Sequence, residues 1–109
     1  MLLATALLRL YRRTLAMNPA MAHAGLQMFR AGTAIGASLE EGQVANSRRD
    51  MAAKYAIALR EAREATYWLR LLATEPSLTA EATTHAREAG EFVAMLTVSV
   101  RRLRDHPDG

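Results

Sequence analysis

Two glutamates, Glu61 and Glu64, have the spacing of a pair of groups that could act together in acid–base or metal chemistry. They are three residues apart, so on a helix they share one face, with Tyr67 and Trp68 in the following turn. A di-metal site in a helical bundle uses Glu-x-x-His pairs, and the sequence contains none. Arg60 precedes Glu64 by four residues, the spacing of a helical ion pair. The pattern therefore favours structural ion pairing, including pairing at a subunit interface, over catalysis.

The other reactive residue types form no metal, nucleophile or phosphate-loop motif. His23, His85 and His106 fall on different segments, and none has a second His or a Cys at ligand spacing. The chain has no Cys, which excludes disulfides and thiolate sites and makes the cytoplasm the expected compartment. Gly32 and Gly36 lie inside a predicted helix, so they cannot form a phosphate loop. The sequence therefore predicts no enzyme activity, no metal and no cofactor.

Positive charge points to an anionic partner. The net charge is +3, the pI is about 10.0, and Lys54 is the only lysine among the 14 basic residues. Arginine suits phosphate contact because its planar guanidinium donates to two oxygens at once. Five arginines are predicted to lie together at one end of the molecule and to bind nucleic acid: Arg48, Arg49, Arg101, Arg102 and Arg104. A second interpretation stays open, in which Glu40 and Glu41, predicted at the same end, neutralise Arg48 and Arg49.

Four helices must position these residues, and the sequence predicts them at about 2–17, 20–41, 48–73 and 79–104 within one domain, 1–109. Apolar residues recur at alternating spacings of four and three in each segment, as in Leu3, Leu7 and Leu10. Asn18-Pro19 is typical of a helix start, and Ser47 is a good N-cap. Pro76 interrupts the chain before the last helix, and Pro107 is predicted to end it. Short breaks between periodic segments indicate an all-α, up-down-up-down antiparallel four-helix bundle.

Two further patterns concern packing. Gly32 and Gly36 are one helical turn apart, and each costs about 1 kcal/mol relative to alanine inside a helix, which predicts compensation by close helix approach. The third helix carries more apolar residues than one core-facing stripe requires, and Phe92 and Met95 lie beside the core stripe of the fourth, which predicts an oligomer interface. The alternative is a broad core within a small bundle. The predicted interface residues are Ile57, Glu61, Glu64, Trp68 and Leu71.

Two blocks of sequence resemble a bacterial four-helix-bundle family. The first is FRAGTAIGASLEEGQ at 29–43, which is similar to the family pattern S-I-x-A-N-I-x-E-A-Q, with Ala34 and Ser38 in place of its Ser and Asn. The second is SRRDMAAKYAIALREAREATYWLRLL at 47–72, which matches the family pattern nearly throughout. The family comprises proteins encoded in intervening sequences of 23S ribosomal RNA genes. It also includes the accessory variability determinants of diversity-generating retroelements.

The resemblance implies a homopentameric ring with a basic surface. It also implies RNA or DNA and a retroelement reverse transcriptase as partners, because retroelement members bind both. The function expected on this basis is a non-enzymatic scaffold for nucleic acid, for such an enzyme, or for both. The alternative is a helical adaptor that binds only proteins through its outer apolar residues. No membrane association is expected, because Arg9, Arg12 and Arg13 interrupt the apolar start of the chain.

Overall fold

The computed structural model describes residues 2–106 and contains four helices and no strand in that range. The all-α prediction is therefore confirmed. The helices are α1 (Leu2–Leu15), α2 (Pro19–Gln43), α3 (Arg48–Leu72) and α4 (Thr79–Asp105). Pro107, predicted to end the last helix, lies outside the described residues.

The predicted N-caps of α2 and α3 are both present. The Asn18 side chain accepts a hydrogen bond of 2.9 Å from the Met21 N–H, and Ser47 Oγ accepts one of 3.0 Å from the Asp50 N–H. Each bond satisfies an amide that has no partner inside the helix. Pro19 occupies the first turn of α2, where its missing N–H costs nothing. These local signals explain why the first two connections are short.

Consecutive helices run antiparallel, as cross-helix neighbours show. On α1 and α2, Thr14 lies beside Gly25 and Leu7 beside Gly32, so residue numbers fall on one helix as they rise on the other. α3 packs along α2 on one side and along α4 on the other, while α1 packs mainly on α2. The elongated molecule measures 50 × 21 × 19 Å.

The core is built from leucines and many alanines, since alanine lets helices approach closely. Every helix contributes to it. The buried polar residues among those described are Thr14, Ser38 and Thr66, and each hydroxyl donates a hydrogen bond, that of Thr14 to the Tyr11 carbonyl at 2.6 Å. α1 has only 14 residues against 25 in α2. At 1.5 Å per residue it covers roughly half the length of α2. The largest fully buried side chains are Leu7, Leu10, Met28, Ile35, Leu69, Leu72, Leu78 and Leu96.

The close-approach prediction is confirmed at Gly32 and wrong at Gly36. A Cβ atom at Gly32 would overlap the Leu7 side chain of α1, whereas nothing lies within 4 Å of one at Gly36. Gly25 and Gly32 are seven residues apart and share the stripe that faces α1. Gly36 lies one turn beyond Gly32, near the start of α1, where it borders an open cavity of about 460 Å³ with Leu3 and Phe92.

Two close approaches were missed by sequence reasoning. A Cβ at Gly25 would lie 2.8 Å from the Thr14 Cβ, and one at Gly42 would lie 2.5 Å from Cδ1 of the Tyr55 ring. Their partners lie on other helices, so spacing within α2 alone did not reveal them.

Candidate functional site

The end of α4 and the start of α3 meet, which brings together the five arginines predicted to bind nucleic acid. Arg48 Nε donates to the His106 carbonyl at 2.7 Å. Arg49 and Arg104 line one cavity of about 310 Å³ between α3 and α4. The five residues Arg48, Arg49, Arg101, Arg102 and Arg104 are called the arginine pole below.

Arg48 has a structural role within this pole. His106 is the C-cap of α4, where backbone carbonyls lack helical partners and carry partial negative charge. The guanidinium satisfies one such carbonyl and lies at the favourable end of the helix dipole. Arg48 is partly buried, while the other four arginines are exposed. The exposed four are therefore better placed to contact a ligand.

The predicted neutralisation by Glu40 and Glu41 is not formed. Between residues 2 and 106, the side-chain pairs within ion-pair distance are Arg13–Glu81 and His85–Glu88. Glu40 instead borders the cavity near Gly36. Asp105 lines a cavity of about 280 Å³ with Arg101 and Arg102 but is not within ion-pair distance of either. Within the described part of the chain, the pole has no bound counter-charge.

The predicted oligomer-interface residues divide between two environments. Ile57 and Leu71 are 36% and 44% exposed, and Glu64 is exposed as well. Glu61 is turned to α2, where its Oε1 accepts a 2.6 Å hydrogen bond from Ser38 Oγ. Trp68 also faces α2, with its ring edge-on to His23 at a centroid distance of 5.9 Å. Thus Glu61 and Trp68 hold α2 and α3 together, and Ile57, Glu64 and Leu71 remain accessible.

The exposed apolar surface extends to α4. Met95 and Val98 are each about half exposed on the side of α4 away from the core. Met95 was recognisable in the sequence as an apolar residue beside the core stripe. Val98 was not, because a single valine among polar neighbours carries no periodic signal.

A second basic feature, the α3–α4 groove, was missed by sequence reasoning. One cavity in it, of about 620 Å³, is lined by Arg63, Tyr67 and Arg70 of α3 and by Gly90 of α4, among others. The cavity between Arg49 and Arg104 lies further along the same pair of helices. The sequence signal that could have revealed the groove is the recurrence of arginine at positions 49, 63 and 70, which are separated by multiples of seven residues.

The described residues hold no cluster of three or more His, Cys, Asp or Glu side chains that could bind a metal ion. His85 Nδ1 lies 2.7 Å from Glu88 Oε1, one turn away on α4. None of the helices within 2–106 combines the length and the apolar character needed to cross a bilayer.

Comparisons with known proteins agree on one family. The family model described as 23S rRNA-intervening sequence protein matches residues 3–98. A crystal structure of a protein of unknown function from the S23 ribosomal protein family of Bacteroides thetaiotaomicron is 28% identical, with a TM-score of 0.66. The match covers 90% of this chain and 97% of that one. No curated protein matches the chain.

Proposed function

The chain belongs to the family of 23S rRNA-intervening sequence proteins, and from that premise we propose that it is a non-enzymatic, self-associating scaffold that binds nucleic acid. The arginine pole contacts phosphates. The assembly is a homopentamer, and a nucleic-acid enzyme such as a retroelement reverse transcriptase is its protein partner. The pentamer and this partner rest on the resemblance of residues 29–43 and 47–72 to the family.

The observation that carries the proposal is the charge of the arginine pole, which no carboxylate within residues 2–106 pairs. Arg49, Arg101, Arg102 and Arg104 are exposed, and no described carboxylate lies within 4.0 Å of their nitrogen atoms. Like charges held close together repel one another, and a bound polyanion relieves that repulsion. Repetition around a ring multiplies the effect, because each subunit presents the same arginines to one long ligand.

Self-association is supported by the accessible apolar residues of α3 and α4. We expect a stable assembly well above the 12.0 kDa of one chain at micromolar concentration, measured by sedimentation equilibrium. Ile57→Glu should shift the assembly toward monomer, because a charge would be buried at the contact. Leu15→Glu is the control, since Leu15 is 54% exposed on α1, outside the predicted interface. A 12.0 kDa wild-type species, or equal effects of the two variants, would contradict the interface.

Nucleic-acid binding is tested by removing charge from the pole. The triple variant Arg101→Gln, Arg102→Gln, Arg104→Gln should bind labelled RNA or DNA more weakly and with a salt dependence shallower by about 2–3 log units per log unit of salt. Fluorescence anisotropy at several salt concentrations measures both quantities. Wild-type binding should be strong at low salt and largely lost near about 0.3 M salt, because phosphate contacts release counterions.

The matched control is a second triple variant that has the same net charge as the first. Arg9, Arg12 and Arg30 are exposed on α1 and α2, and replacing all three by Gln removes the same charge away from the pole. Equal losses in the two triple variants would show that only net charge matters. Absence of wild-type binding at low salt would favour the protein-only adaptor, for which the exposed Met95 and Val98 are the supporting observation. An apolar contact of that kind is nearly independent of salt.

A further inference from the structure

The α3–α4 groove carries a row of arginines along one edge of α3. Arg49, Ala56, Arg63 and Arg70 follow one another at intervals of seven residues. Residues seven apart on packed helices keep the same position relative to the neighbouring helix. Each interval spans about 10.5 Å, so the row extends over roughly 30 Å. Arg104 adds a further guanidinium from α4, in the cavity that it shares with Arg49.

No carboxylate of residues 2–106 lines either cavity of this groove. The cavity near Tyr67 is bordered only by arginines, neutral side chains and Gly90, and the cavity near Arg104 likewise contains no acidic residue. The nearby acids Glu88 and Glu91 line a separate cavity with Phe92 and Met95. The described acidic residues are therefore absent from both cavity linings, and Glu64, exposed next to Arg63 on α3, lies outside them.

Tyr67 is the aromatic side chain among the described residues that line the groove, and it is largely exposed. It is 60% exposed and stands between Arg63 and Arg70 in the cavity lining. Its ring meets Trp68 edge-on, with centroids 5.0 Å apart and an angle of 81° between the planes. This contact restrains one side of the ring while most of its surface remains open to solvent.

The α4 side of the groove leaves space opposite the Tyr67 ring. Gly90 of α4 has nothing within 4 Å of its Cβ position, and the cavity volume is about 620 Å³. The Thr66 hydroxyl already donates to the Ala62 carbonyl at 2.8 Å, so it stabilises α3 rather than a ligand. The hydrogen-bond donors left to a ligand are the two guanidiniums and the tyrosine hydroxyl. An exposed aromatic ring flanked by guanidiniums is the combination that single-stranded nucleic acid binds.

We propose that the α3–α4 groove binds single-stranded nucleic acid, with one base stacked on Tyr67 and the flanking phosphates on Arg63 and Arg70. The inference rests on the proposed nucleic-acid function. It adds that the bound nucleic acid is single-stranded and that the protein contacts one of its bases. A duplex keeps its bases stacked inside, so it can contact the arginines but not the ring. An acidic peptide would pair with the guanidiniums and leave the exposed ring without a partner.

The test compares binding of a labelled oligonucleotide as a single strand and as a duplex. Tyr67→Ala should weaken single-strand binding about tenfold, the scale of one base–aromatic stack, and leave duplex binding unchanged. Tyr67→Phe should retain single-strand binding, because the ring is kept. Arg63→Gln with Arg70→Gln should lower single-strand affinity and reduce its salt dependence by about 1.4 log units per log unit of salt.

The matched control is Arg60→Gln with Arg87→Gln, which removes the same charge from exposed positions on α3 and α4 that do not line the groove. The chain has a single tryptophan, and it contacts Tyr67, so its fluorescence reports directly on the groove. A single strand should change Trp68 emission at concentrations where the duplex does not. Circular dichroism of each variant shows whether the helices are intact.

The outcomes separate this inference from the function on which it rests. If the wild type binds both forms equally and Tyr67→Ala changes neither, the groove assignment is wrong while binding at the arginine pole stands. If the wild type binds neither form, the proposed function fails and the groove assignment fails with it. If polyglutamate displaces the single strand as well as a polynucleotide of equal charge does, the groove is an acidic-protein site, which also overturns the inference.

Discussion

Leu10→Ala is expected to lower the free energy of unfolding by about 2–5 kcal/mol, the range for emptying a fully buried leucine site. Leu10 is 0% exposed, and with Leu7 it docks α1 onto the rest of the bundle. A 14-residue helix is marginally stable alone, so α1 depends on this contact. Chemical denaturation gives the free energy, and hydrogen exchange should show the amides of α1 losing protection first.

Leu15→Ala is the control on the same helix. Leu15 is exposed at the end of α1, so its truncation should change stability by no more than about 0.5 kcal/mol. Similar losses for the two variants would mean that α1 does not pack on α2 through Leu10. Uniform loss of protection in all four helices of the Leu10 variant would mean that α1 unfolds only together with the rest.

Gly25→Leu is expected to destabilise the protein by about 1–3 kcal/mol through overpacking. Even a Cβ atom at this position would lie 2.8 Å from the Thr14 Cβ, which is fixed to the backbone of α1 and cannot rotate away. α1 must therefore move away from α2, which loosens the packing around the buried Thr14 side chain. The midpoint of thermal or chemical denaturation measures the effect.

Two other glycines of α2 provide graded comparisons. Gly36→Ala should raise stability by about 0.5–1 kcal/mol, because alanine is the better helix former and nothing lies near its Cβ. Gly32→Ala should cost less than Gly25→Ala, since the atom in the way is the end of the flexible Leu7 side chain. Destabilisation at Gly36 equal to that at Gly25 would show that another surface covers Gly36, as a subunit contact would.

Local signals made the helices predictable. Asn18, Pro19 and Ser47 act on amides within three residues of themselves, so their effects do not depend on how the chain folds elsewhere. The spacing of apolar residues predicted which face of each helix packs in the core, because that spacing is also a local property of one helix. Resemblance gave the family, now supported by the match over residues 3–98.

Contacts between helices were only partly predictable. Glu61 and Trp68 were predicted to lie in an oligomer interface, yet both face α2, where Ser38 and His23 contact them. On a helix that packs against two neighbours the inner arc is wide, and spacing alone does not show where it ends. The homopentamer, the reverse transcriptase partner and nucleic-acid binding remain predictions.

The sequence by itself determined four capped amphipathic helices, a core rich in leucine and alanine, and an excess of arginine. Only the tertiary structure decided which arginines pair with a carboxylate of the described residues, because ion pairing depends on which helix ends and flanks meet. It left Glu40 and Glu41 without a bond to the arginine pole, and it tied Arg48 to the end of α4. It also aligned Arg63, Tyr67 and Arg70 against the open side of Gly90, a juxtaposition of two helices that neither segment encodes alone.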